Sequence, residues 1–278
     1  MIWLNGRLVP RERARIDPAD RGLLLGDGLF ETLRVYRGHA FKLEDHLGRL
    51  ARGAAELGIP LPLDVPDIAS AVHETLEAHR LEAASAALRI TLTRGTGQRG
   101  LLPPEDPNPN LIISVSAYHP PSIDDGFAVV TSKRARRNEG SLTARVKTLG
   151  YLDNIVAQME AAAEGADEAL LLNNKNTVVC GARSNLFALV KGTLLTPAIE
   201  EGALPGITRA AVLHLCSELA VQVTETRVTR GDLAKAEEAF LCNSLMEIVP
   251  IRRADGRQIP FGTTTRRVAD AYRAMPPR

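Results

Sequence analysis

Leu43, Leu47, Leu50, Ala54 and Leu57 recur every three or four residues, which predicts an amphipathic helix over Leu43–Leu57. A second helix is expected over 67–79. A third is expected over 151–164, where Leu152, Ile155, Val156, Met159 and Ala163 keep helical spacing, and a fourth over 208–219. Residues 29–36 alternate well enough for a strand. Further strands are expected at 86–93, 111–115, 128–132, 168–172, 186–190 and 239–241. Asn5-Gly6 between the apolar runs Ile2-Trp3-Leu4 and Arg7-Leu8-Val9 is a strong hairpin signal. Helices and strands in mixed order, with hairpins, argue for an α+β fold rather than a doubly wound parallel sheet.

Tyr118-His119-Pro120-Pro121-Ser122 breaks the pattern with two prolines and is the best domain boundary. It gives an N-terminal domain over 1–117, a linker at 118–122 and a C-terminal domain over 123–278. Composition adds little: 278 residues, 45% hydrophobic and 24% charged, are ordinary for a globular chain. A formal net charge of +1 gives no reason to expect nucleic acid or an anionic membrane as partner. Lys133-Arg134-Ala135-Arg136-Arg137 reads as a solvated basic face. No apolar run reaches the ~20 residues that span a bilayer, and the first residues show no signal-peptide core. Cys180, Cys216 and Cys242 are odd in number and far apart, and only Cys216 has a histidine close by, His214. That argues against a disulfide framework or zinc site and fits a reducing cytoplasm.

Lysine is rare here, and Lys147 stands where an extended run gives way to a helix. Such a lysine can pack its stem and aim its amine into a cleft, and a neutral amine is the nucleophile that forms Schiff bases. Taken on its own the segment also suits a surface lysine. His46 and Arg49 lie one turn apart and, by themselves, read as exposed polar residues. The loop Arg94-Gly95-Thr96-Gly97-Gln98-Arg99-Gly100 suits an anion holder or a plain surface turn. Leu204-Pro205-Gly206-Ile207-Thr208-Arg209 precedes a helix and offers either an anion site on free amides or an ordinary cap at Thr208. Asn243-Ser244 ends an apolar strand with two groups able to bond phosphate, or forms a simple turn. Gly26-Asp27-Gly28 is no dinucleotide fingerprint, because a strand follows it.

In order and spacing, several segments resemble the class-IV aminotransferases, the fold-type IV pyridoxal-phosphate enzymes. They are Asp20-Arg21-Gly22 with Gly26-Asp27-Gly28-Leu29-Phe30-Glu31-Thr32, Leu43 to Leu50, Val146 to Leu152, Gly165 to Ala169, Ser184-Asn185-Leu186-Phe187, Leu204 to Arg209, and Asn243 to Pro250. The resemblance implies a small N-terminal α+β domain, a C-terminal pseudo-barrel domain, pyridoxal 5'-phosphate between them, a small amino substrate, and at least a homodimer. It implies that Lys147 forms the Schiff base and shuttles the proton. Arg49, the backbone amides of Ile207 and Thr208, and Ser244 would hold the cofactor phosphate. Tyr151 would lie near the phenolic oxygen, Phe30 would line the substrate site, and Arg99 would take a substrate carboxylate in a neighbouring subunit. One position departs from the pattern. Cys180 stands where the family usually has the glutamate that pairs with the cofactor's ring nitrogen, and a thiol is a poor substitute. That leaves room for a cofactor-binding member with weak or lost catalysis. Among reactions, 4-amino-4-deoxychorismate lyase is favoured by residues 94–100 and 242–246. D-amino-acid transaminase is supported by Arg99 and weakened by Phe30 and Leu101. Branched-chain transaminase is supported by Tyr151 and Glu247-Ile248-Val249-Pro250.

Overall fold

The computed structural model describes residues 1–80 and 85–276. They form two compact units, one made of Met1–His119 with Val146–Gly150, the other of Pro120–Arg145 with Tyr151–Pro276.

The first unit opens with the expected hairpin. Asn5 and Gly6 take φ of 48° and 94°, as a two-residue turn demands, and pair β1 (Ile2–Leu4) with β2 (Arg7–Val9). Then follow α1 (Arg21–Leu25), β3 (Gly28–Tyr36), β4 (His39–Ala40), α2 (Leu43–Leu57), α3 (Val65–Ala78), β5 (Ser85–Thr93) and β6 (Asn110–Ala117). The strands form an antiparallel sheet in the order β2-β1-β6-β5-β3-β4. The apolar stripe of α2 packs with α3 and with Leu29, Leu33 and Val35 of β3 in one core. Side chains alternate along a strand, so Glu31 shares the face of Leu29 and Leu33 and is carried beneath α2. The stretch read as a glycine-rich turn contains α1, too short to show a period. Asp20 caps it by accepting from the amides of Gly22 (2.7 Å) and Leu23 (3.3 Å), and Gly26 ends it at φ 68°.

In the second unit come β7 (Phe127–Arg137), α4 (Leu152–Ala163), β8 (Glu168–Asn173), β9 (Val178–Gly181), β10 (Asn185–Val190), β11 (Thr193–Pro197), α5 (Ile207–Glu218), β12 (Val223–Thr226), α6 (Arg230–Ala234), β13 (Glu238–Asn243), β14 (Glu247–Ala254), β15 (Arg257–Gln258) and α7 (Thr263–Ala274). The sheet runs β12-β11-β10-β13-β14-β7-β8-β9, and β9 also pairs with β10 through Cys180 and Asn185. That last pairing closes β10, β13, β14, β7, β8 and β9 into a ring, the pseudo-barrel the resemblance implies. Apolar side chains on one side of it pack as a core that includes Leu170, Val178, Leu186, Leu241, Val249 and Ile251. Phe187 and Phe240 stack at 4.9 Å.

The helix α4 carries its large apolar stripe outward: Leu152 is 77% exposed, Ile155 52% and Met159 62%. Its buried positions are Ala157 and Ala161, which pack among Ala135, Ala169, Val179 and Cys180. Small residues let the helix approach β7 and β8 closely, so here the periodic stripe is not the packed face. Among the described residues no helix is long and apolar enough to cross a membrane, and no cluster of acidic, histidine and cysteine side chains could hold a metal. All three cysteines are free and buried.

Candidate active site

Lys147 is placed by a short stretch of backbone that extends the first unit's sheet. β4 covers only the far end of β3, which leaves the Gly28–Phe30 edge open. There the Phe30 amide donates to the Lys147 carbonyl (3.0 Å), the Leu149 amide donates to the Gly28 carbonyl (2.9 Å), and Leu29 bridges to Thr148. A Cβ at Gly28 would collide with the Leu92 carbonyl oxygen and the Leu149 side chain, so a glycine is needed for this approach. The half-buried Lys147 lays its Nζ 4.3 Å from the centroid of the Phe30 ring. The same ring carries the Arg89 guanidinium, its Cζ 3.9 Å away. A lysine amine and a fork of N–H donors therefore gather around one buried apolar ring, and cation–π attraction helps hold both there. Such a pair can bind a carbonyl or amine beside a carboxylate.

On the opposite face of β3, Glu31 is the hub of a buried ionic network. Arg49 donates from Nε to Oε1 (2.8 Å) and from Nη2 to Oε2 (2.6 Å), and His46 Nδ1 lies 2.6 Å from Oε2. Burial would raise the Glu31 carboxyl, but the bonds from Arg49 and His46 outweigh it and hold it at about 2. Burial pulls His46 below its usual value; Glu31 opposes this, and the charges of Arg49 and Lys147 add to it. Read alone, His46 and Arg49 suggested an exposed pair. Both are enclosed because the alternation of β3 sets a carboxylate under α2.

The basic loop after β5 is turned to structural use at its root. Arg94 donates from Nη1 and Nη2 to the Gly58 and Leu57 carbonyls at the end of α2 (2.7 and 2.8 Å) and from Nε to Asp27 (2.8 Å). It satisfies a helix terminus and is 5% exposed, so it is no anion holder. Arg99, further along the loop, is exposed and bonded to nothing among the described residues.

The second unit gathers the remaining candidates at one end of its barrel. Asn185 is the ladder partner of Cys180 on one side and Cys242 on the other. Its amide donates to the Leu204 carbonyl (3.0 Å), and a Cβ at Gly206 would strike its Oδ1. Asn185 thus docks the loop that starts α5. Gly206 is the N-cap, and no side chain caps the first turn. The amides of Ile207 and Thr208 stand at an uncapped helix start, a ready anion site. Thr208 is no cap; its hydroxyl lies 3.4 Å from that of Tyr272. Next along β13, Asn243 Oδ1 accepts from the amides of Leu245 (2.9 Å) and Met246 (2.8 Å), a turn that presents the half-buried Ser244. Tyr151 stands at the N-cap position of α4 without a side-chain cap bond and is half-buried.

Cys180 is fully enclosed, and burial pushes its thiol up to about 11, so it stays neutral. The acid acting on it is Glu168, itself raised by burial. Glu168 accepts from Ser184 Oγ (2.6 Å), the Arg183 amide (2.9 Å) and Arg183 Nε (3.2 Å), so it is committed to shaping the 181–184 turn.

Sequence reasoning assigned no role to Glu31, Arg89, Glu168 or Asn185. Glu31 and Arg89 sit at polar positions of alternating strands, where nothing along the chain separates them from solvent-facing residues. Glu31, Asn185 and Glu168 lay inside segments already matched to a family, without a chemical task.

Residues 28–254 match the family profile described as amino-transferase class IV. A protein of Methanocaldococcus jannaschii, described as a putative branched-chain-amino-acid aminotransferase, is 36% identical over 276 residues, covering 98% of this chain and 95% of its own length. Among solved structures, branched-chain aminotransferase from Thermoproteus uzoniensis aligns with a TM-score of 0.93 at 32% identity, over 98% of this chain and 93% of that one. The 4-amino-4-deoxychorismate lyase of Pseudomonas aeruginosa aligns with a TM-score of 0.88 at 34% identity, over 98% of both chains.

Proposed function

This chain belongs to the amino-transferase class IV family, and on that premise we propose that it moves an amino group from an amino acid with an apolar side chain, with Lys147 as the reacting amine. The protein is an enzyme and its cofactor is pyridoxal 5'-phosphate. When bound, that group supplies the electron sink for breaking a bond at the substrate's α-carbon. The observation that carries the reading is the placing of the Lys147 amine and the Arg89 guanidinium on the one Phe30 ring.

The protein's part is to bind, orient and move a proton. Lys147 Nζ would hold the cofactor through its aldehyde carbon and would take up and return the proton at the substrate's α-carbon. Arg89 takes a substrate carboxylate, and the Phe30 ring supplies an apolar wall. Arg99 is a second candidate for a carboxylate, from a neighbouring subunit of a homodimer. For the cofactor phosphate, the uncapped turn at Ile207 and Thr208 fits a dianion, with Ser244 as a further partner; Arg49, given to the same phosphate by the resemblance, has Nε and Nη2 committed to Glu31. Tyr151 is assigned to the phenolic oxygen and Cys180 to the ring nitrogen. A neutral thiol leaves that nitrogen without a charged partner, and this supports the reading of a member with slow or lost catalysis.

A second reading, 4-amino-4-deoxychorismate lyase, is favoured by residues 94–100 and 242–246 and by the likeness to the Pseudomonas enzyme. The test is a product assay on three substrates: L-leucine with 2-oxoglutarate, D-alanine with 2-oxoglutarate, and aminodeoxychorismate. Glutamate formed from the leucine pair is expected. Pyruvate with 4-aminobenzoate and no keto-acid exchange would assign the lyase, and a stable visible band unmoved by every donor would leave only cofactor binding.

A further inference from the structure

The basic run at 133–137 is only partly a solvated face. Lys133 and Arg136 line a groove of about 630 Å³ in the second unit, together with Arg230 at the start of α6 and Arg253 of β14. Three separate stretches of sequence bring these cations to one concavity. Residues three apart on a regular strand point to opposite faces. Here the β7–β8 ladder slips between Thr131 and Arg136, and the β14–β7 ladder slips between Ile251 and Arg253. Those irregularities turn Lys133, Arg136 and Arg253 into the same hollow. The bulge is held by Glu160, whose carboxylate accepts from Ser132 Oγ (2.7 Å) and the Lys133 amide (3.0 Å).

The lining holds two carboxylates, Glu164 and Asp255, against four cations. Glu164 pairs with Lys133 at 3.0 Å. Asp255 is occupied by Thr131, accepting from its amide (2.7 Å) and hydroxyl (2.7 Å), and lies 3.9 Å from Arg230, too far for a hydrogen bond. Arg136 spends Nη1 on the Asn173 carbonyl and the Asn176 side chain, both at 3.0 Å, and leaves Nε and Nη2. The Arg253 side chain makes no hydrogen bond or ion pair among the described residues, its backbone being paired with β15 and β7. With Glu160, whose carboxylate also acts on Lys133, three carboxylates face the four cations, and one positive charge is left over in a hollow of a chain whose whole formal charge is +1. Like charges so grouped repel unless an anion joins them.

We propose that this groove binds a phosphate dianion, either inorganic or as the phosphate ester of a small metabolite. Cations outnumber carboxylates here, and several acceptor oxygens suit guanidinium forks approaching from different strands. The volume beyond the phosphate takes the organic part of an ester. None of the lining residues is among those assigned to the cofactor or the substrate.

The experiment is calorimetric titration of the cofactor-loaded enzyme at low ionic strength with inorganic phosphate, with glycerol phosphate, and with succinate as a dicarboxylate of equal charge. The cofactor's own phosphate occupies its site throughout. Saturable binding of one or both phosphates is expected, tighter than that of succinate and weakening as chloride rises. Glycerol phosphate tighter than phosphate would identify the ester as the ligand; equal affinities would identify inorganic phosphate. Arg253→Gln and Arg136→Gln are each expected to weaken binding about fivefold with an unchanged melting temperature. No saturable heat, equal binding of succinate, or undiminished binding in both variants would overturn the proposal.

Discussion

Glu31 and Arg49 are locked in a two-bond ion pair beneath α2, with Nε–Oε1 at 2.8 Å and Nη2–Oε2 at 2.6 Å. The Glu31 side chain is 1% exposed and that of Arg49 10%, so neither can turn to water when its partner is removed. Glu31→Gln keeps the volume and abolishes the charge. It is expected to cost about 3–5 kcal/mol of folding stability, as for other broken buried pairs. Urea unfolding measures this, and a loss under about 1 kcal/mol would mean the pair behaves as a surface bridge.

The same carboxyl sets an acid limb to stability. It stands at about 2 in the fold against 4.5 when free. Its folded value is the lower one, so its contribution is complete above 4.5 and is lost as pH falls from there toward 2. The gap corresponds to on the order of 3 kcal/mol. His46 acts in the same direction at higher pH: its folded value lies below 6.5, so the unfolded chain takes up the proton first as pH drops through that value. Unfolding free energies measured between about pH 7 and 3 are expected to fall with acid in the native protein and to fall less in Glu31→Gln below 4.5. Parallel curves would refute the assignment.

Lys147→Ala is expected to abolish turnover and to remove the visible band that depends on a covalent link to the cofactor. Absorption spectra and the product assay check the two separately. Near-normal activity in this variant would count against the whole functional reading.

Arg89→Gln is expected to raise KM for a dicarboxylate acceptor about tenfold, the usual scale for losing a bond to a charged group, with a smaller fall in kcat. Arg99→Gln tests the competing assignment by the same measurement. If only the Arg99 variant shifts KM, the guanidinium on Phe30 has a packing role and no part in recognition.

Gly206→Ala drives a methyl into Oδ1 of Asn185. Displacing Asn185 disturbs the loop that starts α5, so cofactor affinity is expected to fall along with about 1–3 kcal/mol of stability. Cofactor titration followed by absorbance, beside a melting curve, reads both. Unaltered affinity would mean that the amides of Ile207 and Thr208 do not hold the phosphate.

What the sequence discloses follows the range over which each signal acts. The Asn5-Gly6 hairpin and the α2 helix are readable because turn chemistry and an apolar stripe are local. β7 extends five residues past its expected end at Ser132, to Arg137, since a basic, bulged continuation hides the alternation. α7 is rich in arginine and has no wide apolar stripe, and it was not foreseen. Of the proposed site, Lys147 and Arg49 are recognisable through family resemblance. The burial of Glu31 and the meeting of Arg89 with Phe30 depend on strand register and on α2 lying over one face, which no spacing along the chain encodes. α4 shows the reverse error of a local rule, because its packed face is made of alanines.

Residues 146–150 leave and rejoin the second unit's stretch of chain while packing with the first. Dissection of the gene is constrained accordingly: no single cut yields either half intact. A fragment ending at residue 119 would lose Lys147 and bare the backbone of Gly28–Phe30, an unpaired margin of the kind through which truncated proteins aggregate.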